Sequence, residues 1–148
     1  MLRMRTKHAE RVDSTSKIVS VLNQGVQVEY SMIFHYPRLI SRFRDVETRK
    51  VLSRLVSESL EHADIVADAV RELGGQPVWS IESFPEHIDP IEILQVQLEK
   101  EKLALKLYQE ATDLVPPANP LSKTFSSIAR AEESHISAVE GVLHKLKG

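Results

Sequence analysis

Four long segments of this sequence place apolar residues in alternating steps of three and four, and signals that start or stop helices separate them. Residues with this spacing lie along one face of an α-helix. Asp45, Asp89-Pro90 and Asn119-Pro120 fit helix starts, whereas Gly74-Gly75 and Pro116-Pro117 fit helix ends. The predicted helices cover about residues 15–43, 46–73, 90–115 and 120–146.

The connections between these segments predict how the helices are arranged. The first and third connections are short, so each should join two antiparallel neighbours. Residues 76–89 lack helical periodicity and are too many for a tight hairpin, which favours a crossover along the bundle. We therefore predict an all-α, antiparallel four-helix bundle with one long crossover between helices 2 and 3.

The whole chain, residues 1–148, should form this single domain. Asp13 or Ser14 offers an N-cap for the first helix, and we expect residues 1–13 to be a flexible lead. Pro37 lies inside the first helix, where a missing amide donor should kink it near Tyr36.

Composition excludes several classes of function. A net charge of −2 and a pI near 6.3 carry no signature of nucleic-acid binding. The absence of cysteine rules out disulfides, thiolate zinc sites and iron–sulfur clusters. No apolar run is long enough to span a membrane, and no signal segment is evident, so we expect a cytoplasmic protein with no membrane partner.

Polar residues interrupt the apolar face of each helix near its middle, and they repeat in the two halves of the chain. Each half has a glutamate seven residues before a tyrosine, followed by a histidine in the next helix. The two halves differ three residues before that histidine, where one has serine and the other glutamate. The repeated positions are Glu29, Tyr36, Ser59 and His62, then Glu101, Tyr108, Glu132 and His135.

Several carboxylates at one level of a dry core repel one another, so they must share protons or be neutralised by a cation. Dinuclear carboxylate bundles use one glutamate from each of two helices and a Glu-x-x-His motif from each of the other two. A single buried glutamate or histidine is more often a structural polar group, but the combination favours a metal site. The candidate ligands are Glu29, His62, Glu101, Glu132 and His135.

Tyr36 and Tyr108 have two interpretations. A tyrosine on a bundle seam usually fills the core and finds one hydrogen-bond partner. Each of these two lies two turns from a candidate ligand, so its hydroxyl could bond to a carboxylate from another helix.

Motifs in all four helices resemble those of the ferritin-like superfamily, and of bacterioferritins most closely, from about Lys17 to Leu146. The resemblance implies a di-iron centre that binds Fe(II) and reduces dioxygen or peroxide, as ferroxidases and rubrerythrin-like peroxidases do. Manganese or zinc could bind the same ligands. The motifs are Leu22-Asn23 before Glu29 and Tyr36, Glu58-Ser59-Leu60-Glu61-His62-Ala63-Asp64, Leu98-Glu99-Lys100-Glu101 and Glu132-Glu133-Ser134-His135-Ile136.

The resemblance also implies roles for these residues. Glu29 and Glu101 would be ligands from the first and third helices. Glu132 would bridge or chelate, and His62 and His135 would each bind one metal. Tyr36 and Tyr108 would orient carboxylates or quench radicals.

The chain departs from the family pattern at three places. Ser59 stands where the family has a bridging glutamate. Either Glu58, about 40° around the helix from His62, supplies the missing carboxylate, or the site is incomplete, asymmetric or mononuclear. Leu60 replaces the haem-ligating methionine of bacterioferritins, so no haem is expected. The sequence ends at Gly148 without the short fifth helix of 24-subunit cages, which favours a homodimer or other small oligomer.

Three functions follow as hypotheses. The leading one is a di-iron carboxylate oxidoreductase that uses dioxygen or peroxide. The alternative is a non-catalytic metal-binding or oligomeric interaction module with a degenerate site, which Ser59 favours. The third is an oxygenase acting on an organic substrate.

Overall fold

The computed structural model describes residues 2–86 and 89–148, with side chains from residue 15 onward. The described residues form an antiparallel bundle of four helices, as predicted. None of these helices is both long and apolar enough to cross a membrane. The helices are α1 (Leu2–Ile40), α2 (Val46–Glu72), α3 (Pro90–Leu114) and α4 (Pro120–Lys147).

The first helix was predicted with the wrong ends. It begins at Leu2, so Asp13 and Ser14 lie within α1 and do not begin it. Residues 2–12 contain mostly leucine, arginine, methionine, lysine, alanine and glutamate, which favour helix, and nothing there stops one. At its other end α1 stops at Ile40, three residues early, and Pro37 lies inside the last turn. The predicted kink at Tyr36 stays a prediction.

The other helix starts are confirmed, because each predicted capping residue accepts a hydrogen bond from the first turn. Asp45 accepts from the Thr48 amide at 3.0 Å, and Asp89 accepts from the amide two residues later at 2.8 Å. Asn119 accepts from the amide of Leu121 at 3.0 Å. These bonds satisfy amide donors that have no partner within the helix.

The predicted stop after α2 is also confirmed. Gly74 has a φ of 85°, a left-handed conformation that glycine adopts without steric cost. The amide of Gly74 donates to the carbonyl of Arg71, and that of Gly75 donates to the carbonyl of Val70. This pair of bonds satisfies the last carbonyls of α2 and turns the chain away from the helix.

The helices form a ring in which α1 contacts α2 and α3, and α4 contacts the same two helices. The crossover follows α1 along the bundle. The Asn23 side chain bonds to the backbone of Gln76 and Val78 near one end, and Arg42 donates to the carbonyl of Glu86 near the other. The predicted long connection is therefore pinned to α1 by polar contacts.

The predicted inward faces of α1, α2 and α4 are largely buried. On α3, the three-and-four spacing from Leu94 through Glu101 to Tyr108 predicts that Leu98 and Leu105 face inward. Both are only partly buried, whereas Ala104 and Leu107 are buried. Helix α3 packs against both α1 and α4, so its buried face is centred between two neighbours and is wider than a single stripe.

Candidate metal centre

The polar side chains that interrupt the four helix faces meet inside the bundle. Glu29, Glu101, Glu132 and His135 are fully buried, and His62 is 8% exposed. They come from all four helices. His62, Glu101, Glu132 and His135 lie near the middle of their helices, whereas Glu29 lies in the second half of α1, which begins at Leu2. Antiparallel packing therefore brings them to one level, as the sequence predicted.

Both imidazole rings face the carboxylates through Nδ1. Nδ1 of His62 lies 3.0 Å from Oε1 of Glu132 and 3.6 Å from Oε1 of Glu29. Nδ1 of His135 lies 3.4 Å from Oε2 of Glu132 and 3.3 Å from Oε2 of Glu101. Glu132 thus lies between the two histidines, with one carboxylate oxygen directed to each.

The two histidines are close enough to share one carboxylate between them. Their rings are stacked, with centroids 5.5 Å apart and planes 19° from parallel. One ligand atom from each of His62, Glu132 and His135 lies within 4.8 Å of the other two. This trio is the compact centre of the cluster, and Glu29 and Glu101 flank it.

The tyrosine hydroxyls connect the two halves of the chain. Tyr36 of α1 donates to Oε1 of Glu101 on α3 at 3.0 Å. Tyr108 of α3 donates to Oε1 of Glu29 on α1, also at 3.0 Å. The predicted bond to a carboxylate from another helix is confirmed for both. Each tyrosine hydroxyl bonds to Oε1 of its glutamate and leaves Oε2 of that carboxylate available for another partner.

Gly25 leaves space for one of these tyrosines. A Cβ added at Gly25 would lie 3.0 Å from Cε1 and 3.1 Å from the hydroxyl of Tyr108. These distances are shorter than ordinary van der Waals contact. A glycine on the inward face of α1, one turn before Glu29, thus allows Tyr108 to reach its carboxylate.

Ser59 and Glu58 occupy different environments. Ser59 is fully buried, and its hydroxyl makes no hydrogen bond. The Glu58 carboxylate is 41% exposed and lies 2.5 Å from Nε2 of His135, the ring nitrogen opposite Nδ1. In this conformation Glu58 orients the His135 ring and does not replace the carboxylate missing at position 59. A role for Glu58 as a metal ligand therefore requires a different rotamer.

The buried carboxylates and His135 shift one another's pKa values. Burial, followed by the nearby charge of Glu29 and contact with Glu101, raises the pKa of Glu132 well above its ordinary value. Burial also favours a higher pKa for Glu101, but contacts with Glu132 and His135 outweigh it and lower that pKa. Burial favours a lower pKa for His135, yet Glu101 and Glu58 raise it. Glu101 and Glu132 thus differ in pKa although they are the same residue type, because one ionised carboxylate disfavours ionisation of its neighbour.

The tyrosines remain protonated in this environment. Burial raises the pKa of Tyr36 well above 10.0, and the charge of Glu101 adds to the shift. Burial and the charge of Glu29 do the same for Tyr108. Both phenols are therefore hydrogen-bond donors at physiological pH.

The donor set fits a divalent metal. Oε2 of Glu29 and Oε2 of Glu132 are buried and have no hydrogen-bond partner among the described residues. Buried oxygens without partners are rare in folded proteins, and an ion that is not part of the protein chain is one explanation for them. Glutamate oxygens with neutral imidazole nitrogens suit iron, manganese or zinc. Glu29, His62, Glu101, Glu132 and His135 are the residues that would hold it.

A second buried polar group, centred on His35, was not predicted from the sequence. His35 bonds through Nε2 to the carbonyl of Glu82 at 2.9 Å and through Nδ1 to Nε2 of Gln97 at 3.0 Å. The hydroxyl of Ser31 accepts from the Glu82 amide at 3.0 Å. These contacts fasten the crossover between α1 and α3. The available signals were two: Gln97 lies one turn before Glu101, and Ser31 lies one turn before His35.

The fold and the site together define a four-helix bundle with a buried carboxylate–histidine centre, and comparison with known proteins agrees. A sequence model of the ferritin-like domain matches residues 19–148. The chain belongs to the ferritin-like domain family. No curated protein matches the chain significantly.

Solved structures with the same fold cover most of the chain. A ferritin-like di-iron-carboxylate protein of Bacillus anthracis aligns with a TM-score of 0.79 at 19% identity, covering 88% of this chain and 97% of that one. Desulfovibrio desulfuricans bacterioferritin gives 0.77 at 20% identity, covering 93% and 84%. Rhodobacter capsulatus bacterioferritin, described with a metal-free dinuclear site and haem iron, gives 0.70 at 25% identity, covering 89% and 86%.

Proposed function

We propose that this protein is an iron-binding oxidoreductase of the di-iron carboxylate type, which couples oxidation of Fe(II) to reduction of dioxygen or peroxide. The main support is the geometry of Glu132, whose two oxygens are directed to two different histidines. A glutamate placed in this way is suited to bridging two cations. Family membership and the di-iron-carboxylate description of the Bacillus anthracis structure support iron as the metal.

Each surrounding side chain has a defined part in this proposal. Glu29 and His62 would hold one cation, and Glu101 and His135 the other, with Glu132 shared. Bound Fe(II) would supply the electrons that reduce dioxygen or peroxide. Burial and neighbouring charges raise the pKa of Glu132, so a cation would compete with a proton for this carboxylate and metal uptake should release protons at acidic pH.

Tyr36 and Tyr108 are positioning residues in this proposal. Each holds one carboxylate oxygen at 3.0 Å, which limits rotation of Glu101 and Glu29 and leaves their second oxygens for the cation. Glu58 positions His135 by its contact with Nε2. Hydrogen bonds of this type keep a ligating imidazole in one tautomer and orientation.

The test is Fe(II)-dependent consumption of dioxygen or peroxide by the purified protein. The Glu132→Ala/His135→Ala double variant should lose turnover. Glu133→Ala changes the exposed residue next to Glu132 and should retain it. A correctly folded protein that binds no divalent metal at micromolar concentration would contradict the proposal.

Ser59 supports a second candidate, a non-catalytic metal-binding or oligomeric interaction module. Without a fourth buried carboxylate, the centre could bind metal and not turn over. The same assay distinguishes the two functions. Stoichiometric Fe(II) binding without dioxygen or peroxide consumption would favour the non-catalytic module.

We further propose that the protein binds no haem and forms a homodimer or other small oligomer. Leu60 lies on the outer face of α2, is 49% exposed and offers no ligand atom. Absorption spectroscopy with added haem and sedimentation analysis test these two expectations. A stable haem spectrum or a large cage would contradict them.

A further inference from the structure

Position 59 lies three residues before His62 on α2, and both residues belong to the buried face of that helix. A glutamate here would place a carboxylate among the other ligands, because residues three apart share one helical face. Serine has a much shorter side chain, and the Ser59 hydroxyl has neither solvent exposure nor a hydrogen-bond partner. Buried hydroxyls nearly always have a partner.

Two carboxylate oxygens of the cluster, Oε2 of Glu29 and Oε2 of Glu132, are also buried without hydrogen bonds among the described residues. Three of the four such atoms among the described side chains therefore belong to this cluster. This grouping indicates that the cluster is built to bind a polar or charged group that is not part of the protein chain.

Charge balance identifies what is missing. Glu29, Glu101 and Glu132 are the fully buried carboxylates of the cluster. Two divalent cations carry four positive charges against three negative ones, an excess of one, whereas one cation together with a proton on one carboxylate would balance the three. Glu58 does not correct the excess, since it is 41% exposed and contacts the outer nitrogen of His135. An excess charge in a dry core is unfavourable unless it is paired.

From these observations we infer that the centre binds a small monocarboxylate anion, of the size of formate or acetate, beside Ser59, and that binding of a second metal depends on it. The anion would occupy the place of the missing glutamate carboxylate and neutralise the excess charge. The Ser59 hydroxyl would donate a hydrogen bond to it. This inference rests on the proposed metal centre and specifies how that centre becomes dinuclear.

The test uses the metal-free protein titrated with Co(II), whose visible absorption reports ligand geometry. In buffer without carboxylates, about one Co(II) per chain should bind tightly. Added formate or acetate should strengthen binding of the second Co(II) by tenfold or more and change the spectrum. Chloride at equal ionic strength and the neutral analogue formamide are controls and should have little effect.

The results separate this inference from the proposed function. Two Co(II) ions binding equally well with and without formate would overturn the anion site and leave the metal centre intact. No Co(II) binding in either buffer would instead overturn the proposed function. An equal response to formamide would also overturn the inference, because that molecule carries no charge.

Variants at position 59 test the location. Ser59→Glu supplies the carboxylate within the chain, so it should bind two Co(II) ions without formate and respond little to it. Ser59→Ala keeps the space and removes the hydroxyl. It should retain the formate effect but need about tenfold more formate, as expected for loss of a hydrogen bond to a charged group. An unchanged formate requirement in Ser59→Ala would place the anion elsewhere.

Glu58→Gln tests the competing explanation that Glu58 moves inward and completes the centre. Under the anion inference, Glu58→Gln binds one Co(II) without formate and two with it, as the parent protein does. If the parent binds two Co(II) ions without formate and Glu58→Gln binds one, Glu58 is the missing ligand and the inference is wrong.

Discussion

The two helical hairpins, α1–α2 and α3–α4, contribute the same residue types to one centre but not the same number of carboxylates. Each provides a buried glutamate, a tyrosine and a histidine. The tyrosines cross between hairpins, so Tyr36 supports Glu101 and Tyr108 supports Glu29. Neither hairpin therefore forms its half of the centre alone.

The hairpins differ in what surrounds each histidine. His135 has Glu132 on its own helix and Glu58 on its outer nitrogen. His62 has Ser59 in the corresponding place, and its Nδ1 contacts Glu132 from the other hairpin. In the second hairpin, Ala131 corresponds to Glu58 and cannot support His62 in the same way. The second hairpin thus supplies Glu132, which contacts both histidines, and the first supplies Glu58, which supports His135.

The largest expected difference in metal affinity is between variants at Glu132 and at Ser59. These two residues occupy corresponding positions in the two hairpins. Glu132→Ala removes the carboxylate that faces both histidines, so metal affinity should fall by more than the roughly 10–100-fold typical of losing a supporting residue. Ser59→Ala removes no carboxylate and should retain tight binding of the first metal. Calorimetric titration measures both, and equal losses would contradict the assignment.

Substitutions of the two tyrosines should differ less in their effect on metal affinity. Tyr108→Phe leaves Oε1 of Glu29 with only the contact to His62 at 3.6 Å. Tyr36→Phe leaves Glu101 in contact with His135 at 3.3 Å. We expect metal affinity to fall by about tenfold in both, and further in Tyr108→Phe. The same calorimetric titration compares the two variants. A larger loss of affinity in Tyr36→Phe would show that Glu101 depends on its tyrosine more than Glu29 does, contrary to this expectation.

The stability of the metal-free protein should depend on pH through Glu132. Its folded-state pKa is raised above 4.5 by burial and neighbouring carboxylates. A raised pKa favours folding below 4.5, and that contribution is lost as the pH rises towards the folded-state value. Glu132→Gln should flatten this loss and raise the melting temperature of the metal-free protein near neutral pH by a few degrees.

Melting curves of metal-free protein between pH 4.5 and 8 give the comparison. Adding metal to the parent protein should remove the difference, because the cation replaces the proton. A Glu132→Gln variant that is less stable than the parent at neutral pH without metal would show that the ionised carboxylate is well accommodated.

The smallest expected effect concerns the residues that begin α2 and α4. Asp45 and Asn119 both cap their helices, but Asp45 also pairs with Lys145. Hydrogen bonds from Lys145 and Thr48 lower the pKa of Asp45 from 3.8 to about 2. Its contribution is therefore present above about pH 4 and lost as the pH falls towards 2.

Asp45→Asn makes this cap chemically like the one on α4. It should keep the hydrogen bond to the first turn and lose the pair with Lys145. The variant should therefore be slightly less stable than the parent at pH 7, and the difference should disappear as the pH falls from 4 to 2. Acid unfolding followed by circular dichroism measures the difference. Unaltered acid unfolding in Asp45→Asn would show that the Lys145 pair does not contribute.

Features that depend on residues near in sequence were predicted well. The capping residues Asp45, Asp89 and Asn119 act within one helical turn, and the seams of α1, α2 and α4 follow from local spacing. The start of α1 was wrong because a capping residue is not a boundary when good helix formers precede it. The face of α3 was predicted less well, because it depends on two neighbouring helices.

For the site, the pattern indicated which residues meet but not how each side chain is used. Glutamates and histidines at the middle of inward faces had to come to one level in an antiparallel bundle. The contact between Glu58 and His135 could not be predicted, because it depends on a rotamer and on the distance between α2 and α4. The His35–Gln97 bond also required knowledge of where the crossover lies.

Anomalous scattering from crystals of the protein grown with Mn(II) or Fe(II) would show whether the bundle core binds metal. We expect density in the core within bonding distance of Glu132, with one position beside Nδ1 of His135. Crystals soaked with formate should show a second position beside Nδ1 of His62. A metal bound only on the surface, or a core without anomalous density at saturating metal, would contradict the proposed centre.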